Sequence, residues 1–187
     1  MSRALRAIGR ELTFFMQRIF SCLLTSVLLT ATLAAAPLDG RWRLDPAHST
    51  ALDGWTAWDL VIALNGNQLT MRHDMQLRAT RFSATNVMDL AAPAKLTNFF
   101  RVEQRHMAVY PAKGGTTIAR AGWLDGGRTL RIEAETPLEI SQGETTVRLY
   151  HEYRLLEGDQ SLVLIELRNT RPQPLVYRFN RVTEGTK

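Results

Sequence analysis

Four histidines, His48, His73, His106 and His151, are the residues of this chain best suited to chemistry. Three have an acidic neighbour, in His73-Asp74, His151-Glu152 and Glu103-x-x-His106. An imidazole near a carboxylate can move a proton or ligate a metal, but a metal centre needs three or four ligands brought together. None of these spacings is a recognised ligand motif. On a strand, adjacent side chains point to opposite faces, so neither His73/Asp74 nor His151/Glu152 can share one site there. No metal and no cofactor, haem included, is expected. Ser49 beside His48 is the only Ser–His neighbour pair, and no Gly-x-Ser-x-Gly turn exists to present a nucleophile. Glu133 and Glu135 would stand roughly 7 Å apart on a strand, a separation glycosidases use, but Arg131 beside them marks a solvated face. The chain is not expected to be an enzyme.

His151 stands apart from the other three, because it alternates with apolar residues. Val147, Leu149, His151, Tyr153 and Leu155 share one face of a long strand predicted over Thr145 to Leu156. If that face is an interior, His151 and Tyr153 are polar points in an apolar cavity, the mixture that small-molecule sites use. Trp55 and Trp58 flank the loop after the first strand and are the candidate lining of a cavity mouth. Trp42 and Trp123 complete the tryptophans.

The elements that must position these residues read as strands, from a period-two pattern punctuated by turns. Gly40 to Leu44 puts Trp42 and Leu44 on one face, and Asp45-Pro46-Ala47-His48-Ser49 is a loop. Leu60, Ile62 and Leu64 alternate up to Asn65-Gly66, a tight-turn signal. Leu69 and Met71 alternate on the return. Met75 to Met88 is one or two further strands, with Leu77, Ala79 and Phe82 as core contacts. Asp89 to Thr97 is a loop or a short helix, and Phe99 to Tyr110 resumes strand character. Thr116 to Leu124 runs into the turn Asp125-Gly126-Gly127. Leu130, Ile132 and Ala134 then share a face. Glu157-Gly158-Asp159 turns the chain into Ser161 to Arg168, which is apolar on both faces through Leu162 to Ile165. Pro172 and Pro174 break it, and Leu175 to Val182 closes the fold. The expectation is an all-β fold of eight to ten antiparallel strands. Such a meander hides its edges by closing into a barrel or stacking as a sandwich, and a barrel of about eight strands either fills its interior or holds one small ligand.

The first 36 residues are of a different kind. Arg18 precedes an apolar run, Ile19 to Leu33, and Ala34-Ala35-Ala36 ends it ahead of Pro37. That order of basic head, apolar middle and small-residue exit predicts a secretory signal helix cleaved after Ala36. The run carries five Ser or Thr residues, too polar for a good span. Met16 is a second possible start. Cleavage removes Cys22, the only cysteine, and with it any disulfide or thiol chemistry. It also removes +3 of the chain's +5 net charge and leaves +2. Without a Lys/Arg run or a basic stripe with interleaved aromatics, nucleic-acid binding is excluded. The expected organisation is a signal peptide over 1–36 and one domain over 37–187. That domain would be periplasmic or secreted, with no stable membrane anchor after cleavage.

At Gly40-x-Trp42 the chain resembles the lipocalins, whose first strand carries a Gly-x-Trp with a late basic residue packed over the Trp. Arg178 and Arg181 are the late candidates. The likeness is closest to small secreted bacterial lipocalin-like domains opening Gly-x-Trp-x-Leu-(Asp/Asn)-Pro-x-x-Ser, here Gly40-Arg41-Trp42-Arg43-Leu44-Asp45-Pro46-Ala47-His48-Ser49. It spans roughly residues 40–182. Full lipocalins add a Thr-Asp-Tyr motif, a cysteine pair and a C-terminal helix, which this chain lacks. The opening also resembles the YceI-like family of periplasmic β-barrels associated with isoprenoid lipids, without that family's later motifs. Both resemblances imply an up-and-down barrel, Gly40 and Trp42 as its structural signature, and a small hydrophobic ligand as partner. The functional expectation is non-catalytic binding of an apolar or amphipathic molecule, with Trp55, Trp58, His151 and Tyr153 as candidate contacts. The alternative is a protein-interaction or envelope-structural barrel filled by its own side chains.

Overall fold

The computed structural model divides the chain into two units, Met1–Ala34 and Ala35–Lys187. It describes residues 37–50, 54–97, 99, 110–111, 115–140 and 143–183. The expected signal helix, Cys22, His106 and most of the strand expected over Phe99 to Tyr110 lie outside the described residues.

Among the described residues, ten strands follow one another as an antiparallel meander. They are β1 (Gly40–Leu44), β2 (Ala57–Asn65), β3 (Gln68–Leu77), β4 (Thr80–Asp89), β5 (Ala94–Leu96), β7 (Thr117–Trp123), β8 (Thr129–Ile140), β9 (Gly143–Leu155), β10 (Ser161–Arg168) and β11 (Leu175–Arg181). A two-residue β6 (Tyr110–Pro111) pairs with β8. The order across the sheet is β4-β3-β2-β1-β11-β10-β9-β8-β7-β5. β1 pairs with both β2 and β11, so the two ends of the meander meet and curl the sheet into a nearly closed barrel. The one seam without a ladder among the described residues runs between β4 and β5; an isolated bridge joins Asp89 to Ala92 in the connection between them.

The alternation decides what is inside. Inward positions are buried and outward ones are half-buried or exposed, as in β9, where Val147, Leu149, His151, Tyr153 and Leu155 are all buried. Large aromatic groups stand on β1, β2, β9 and β11, as Trp42, Trp58, Tyr153, Tyr177 and Phe179. The inward positions of β4, β7 and β8 mix small residues, Ala84, Ala119, Ala121 and Ala134, with larger ones, Met88, Leu130 and Ile132. The outward Glu133 and Glu135 are exposed and lie near Arg131 and Arg148.

One end of the barrel is plugged. The Trp42 indole Nε1–H donates to the Leu38 carbonyl at 2.9 Å, and the Arg181 guanidinium lies 4.1 Å from the centre of its ring. This is the late-basic-over-Trp arrangement that the lipocalin resemblance implies, and of its two candidates Arg181 provides it. The same guanidinium donates to the carbonyls of Asp159, Asp39 and Pro37 at 2.7, 2.7 and 2.6 Å. Gly40 is required beside it. Its φ is +130°, and a Cβ there would sit 2.9 Å from Arg181 Nη1.

Three local expectations change. Ala79 is exposed rather than a core contact, because Arg78-Ala79 is the tight turn between β3 and β4, with Arg78 at φ 53°. Asp89 to Thr97, expected as a loop or a short helix, is a turn followed by a short strand: Ala94–Leu96 pairs with β7 as β5. The loop after β1 holds one 3-10 turn over Pro46–His48, capped by the Asp45 carboxylate.

Candidate functional site

In an antiparallel meander, alternate connections fall at alternate ends. The β10–β11 connection lies at the end opposite the Trp42 plug, with those of β1–β2, β3–β4 and β8–β9. From that end inward, facing pairs on the β9–β10 wall are Leu149/Arg168, His151/Glu166, Tyr153/Leu164 and Leu155/Leu162. All eight are buried, so an otherwise apolar wall carries a charged patch.

The patch is built around Glu166. Arg168 Nε donates to Glu166 Oε1, and His151 Nε2 lies 3.3 Å from Glu166 Oε2. Both carboxylate oxygens thus face a basic group. Burial works to raise the Glu166 pKa, but His151 and then Arg168 outweigh it and hold the carboxyl below its ordinary value. Tyr153 is fully buried, and its hydroxyl has no hydrogen-bond partner among the described residues. Burial, reinforced by Glu166, raises its pKa far above the ordinary value, so the phenol stays protonated. Phe99 stacks on the His151 ring at 6.1 Å between centroids.

A second polar pair enters from β2 and β3. Trp58 Nε1–H donates to His73 Nδ1 at 3.2 Å, and Trp58 meets Tyr177 and Phe179 edge-on. Accepting at Nδ1 leaves the neutral His73 ring its proton on Nε2. Burial, with His151 as a lesser contributor, pushes the His73 pKa down to about 3.

That depression has a measurable consequence. An unfolded histidine binds a proton near pH 6.5, whereas folded His73 stays neutral down to about pH 3. Stability is therefore complete above pH 6.5 and falls as the pH drops through that window. Between pH 7 and 5 the expected loss is about 2 kcal/mol. Glu166 adds its own loss only near and below the ordinary carboxyl range. Urea unfolding at pH 7, 6 and 5 should show the slope, and His73→Gln should flatten it. An unchanged slope in that variant would rule out the assignment.

Of the candidate contacts, Trp58, His151 and Tyr153 are brought into the interior, while Trp55 is half-buried against the core. Trp58 is fully buried beside His73 instead of lining a mouth. Sequence reasoning named His73 without placing it in the interior, and missed Glu166, Arg168 and Asn86; all four are buried. Their signal was present: Met71-x-His73-x-Met75 and Leu162-x-Leu164-x-Glu166-x-Arg168 continue the inward alternation. Ser49 and His48 do not form a catalytic pair. The Ser49 hydroxyl donates to the Asp45 carbonyl at 2.7 Å, and His48 Nδ1 contacts the Asp45 carboxylate at 2.8 Å. No group of three potential metal ligands occurs among the described residues.

A cleft of about 580 Å³ lies where Pro46, Ala57, Met75 and Phe82 meet the outward Arg43, Asp59 and Asp74. Its charges answer one another. Asp59 pairs with Arg41 and Arg43, and Asp74 with Arg72 and the Ser83 hydroxyl.

No family model and no curated protein matches the chain. Among solved structures, a REP1-NXSQ fatty acid transporter superposes with a TM-score of 0.53 at 10% identity, over 80% of this chain and 98% of its own. A Schistosoma mansoni fatty acid binding protein in complex with arachidonic acid gives 0.49 at 9% identity, over 79% and 98%. Human cRBP IV gives 0.48 at 16% identity, over 78% and 98%. The first of these establishes a likeness of fold: this chain forms the same kind of nearly closed, antiparallel up-and-down β-barrel.

Proposed function

We propose that the protein binds one small amphipathic molecule inside its barrel and performs no chemistry on it. The observation that carries this reading is the buried polar patch of His151, Tyr153, Glu166 and Arg168 on an apolar inner wall. Binding sites combine apolar lining with a few placed polar groups in this way. Two features support it. Interior width grows with strand number, and ten strands enclose more than the eight that side chains can fill. Around the patch the inner wall is apolar, with Leu130, Ile132, Leu162 and Leu164 all buried. The fold likeness to a fatty acid transporter supports the same reading. The layout of residues 18–36 supports action outside the cytoplasm, in a periplasmic or secreted setting.

Native mass spectrometry of the purified protein tests it. The expected result is a 1:1 adduct of a few hundred daltons that leaves on unfolding, or 1:1 uptake after incubation with C10 to C18 amphiphiles. A bare protein mass under both conditions would overturn the reading. It would favour the filled structural barrel, to which the five fully buried aromatic side chains point.

A further inference from the structure

Resting on that reading, we infer that the ligand's polar end is an uncharged oxygen group, an alcohol, ester or carbonyl, and not a carboxylate. Among the described residues, Arg168 is the one Arg or Lys side chain buried in the interior. A buried guanidinium is the natural seat for a ligand carboxylate, through a charge-assisted hydrogen bond. Here that seat is taken by the protein's own Glu166. One oxygen accepts from Arg168 Nε and the other lies 3.3 Å from His151 Nε2. The place between the two basic groups already holds an anion. A second carboxylate would be desolvated beside the first, and like charges in a low-dielectric interior repel strongly.

Tyr153 supplies what an uncharged group needs. It lies two residues along β9 from His151, its ring meeting the imidazole edge-on, and its buried hydroxyl has no partner among the described residues. A phenol O–H both donates and accepts. An alcohol can use both capacities, and an ester or carbonyl can take the donated hydrogen bond. The apolar lining on either side, Leu164, Leu130 and Ile132, accommodates hydrocarbon.

The test is displacement of the neutral fluorophore N-phenyl-1-naphthylamine by three ligands of one chain length: decanol, methyl decanoate and decanoate, at pH 7.5. Decanol and methyl decanoate should displace it at concentrations at least 10-fold below decanoate. Partitioning alone also favours the neutral ligands, so two variants isolate the site. Tyr153→Phe removes a hydroxyl that has no partner among the described residues and should fold normally. It should weaken decanol about 5-fold or more and leave decanoate unchanged. Glu166→Gln removes the anion from between Arg168 and His151 and should move the decanoate-to-decanol preference at least 10-fold toward decanoate. If Glu166→Gln does not fold, the wild-type and Tyr153→Phe ratios decide. Decanoate binding as well as decanol in the wild type, or a preference unmoved by the variants that fold, would overturn the inference and leave the ligand barrel standing. Failure of the fluorophore and all three ligands to bind folded protein would overturn the ligand barrel itself, and the inference with it.

Discussion

Replacing Arg168 by Met, with Glu166 retained, should destabilise the protein by about 3–5 kcal/mol. Both side chains are buried, so the substitution strands a carboxylate that Arg168 helps hold below its ordinary pKa. The loss therefore measures the cost of a buried charge left with His151 alone more than the strength of the pair. The double variant Arg168→Met/Glu166→Leu should recover most of it, because well-packed apolar groups can replace a buried ion pair with little loss. Urea unfolding of the wild type, both single variants and the double variant measures the coupling, expected at about 2 kcal/mol or more. Single variants that cost under about 1 kcal/mol without coupling would mean that water reaches the pair. The barrel interior would then not be the enclosed environment on which the functional reading depends.

Trp42→Ala should cost about 3–5 kcal/mol, the range for deleting a fully buried aromatic side chain. The indole is completely buried, holds the Leu38 carbonyl and carries the Arg181 guanidinium on its face. Its removal empties the plug and deprives Arg181 of its stacking partner. Arg181→Lys should cost less, about 1–3 kcal/mol. An ammonium keeps the charge over the ring, but it cannot span the carbonyls of Pro37, Asp39 and Asp159 that the planar fork reaches together. In thermal unfolding both variants should remain cooperative, with Trp42→Ala the lower in Tm. Equal Tm values for Trp42→Ala and the wild type would show that the plug is not a keystone of the barrel.

Most of the barrel was legible because a strand buried on one face writes its orientation into every second residue. Leu130, Ile132 and Ala134 on β8, and Val147 to Leu155 on β9, face inward as the alternation requires. Gly66, at φ 59°, announces the β2–β3 turn because glycine readily takes that conformation. The β3–β4 turn was hidden because Arg78 takes a positive φ without the Gly or Asn that usually signals it. β5 was hidden because three residues are too few to show a period. The candidate site was half legible. His151 and Tyr153 stood out as polar residues within an apolar alternation. Glu166 and Arg168 occupy the same alternation on β10, but charge ordinarily marks a solvated face. Only the register that sets Glu166 opposite His151 shows that they answer each other's charge inside the barrel.

The central claim is that a ligand occupies the interior, beside the polar patch. Isotope-filtered NMR on ¹³C-labelled protein with unlabelled decanol or decanoate, whichever binds more tightly, tests this most directly. Contacts from the alkyl chain to the methyl groups of Leu130, Ile132 and Leu164, together with shifts at the His151 and Tyr153 rings, are the predicted result. Contacts confined to the outward Val87, Leu124 and Leu167, which are exposed, would contradict it.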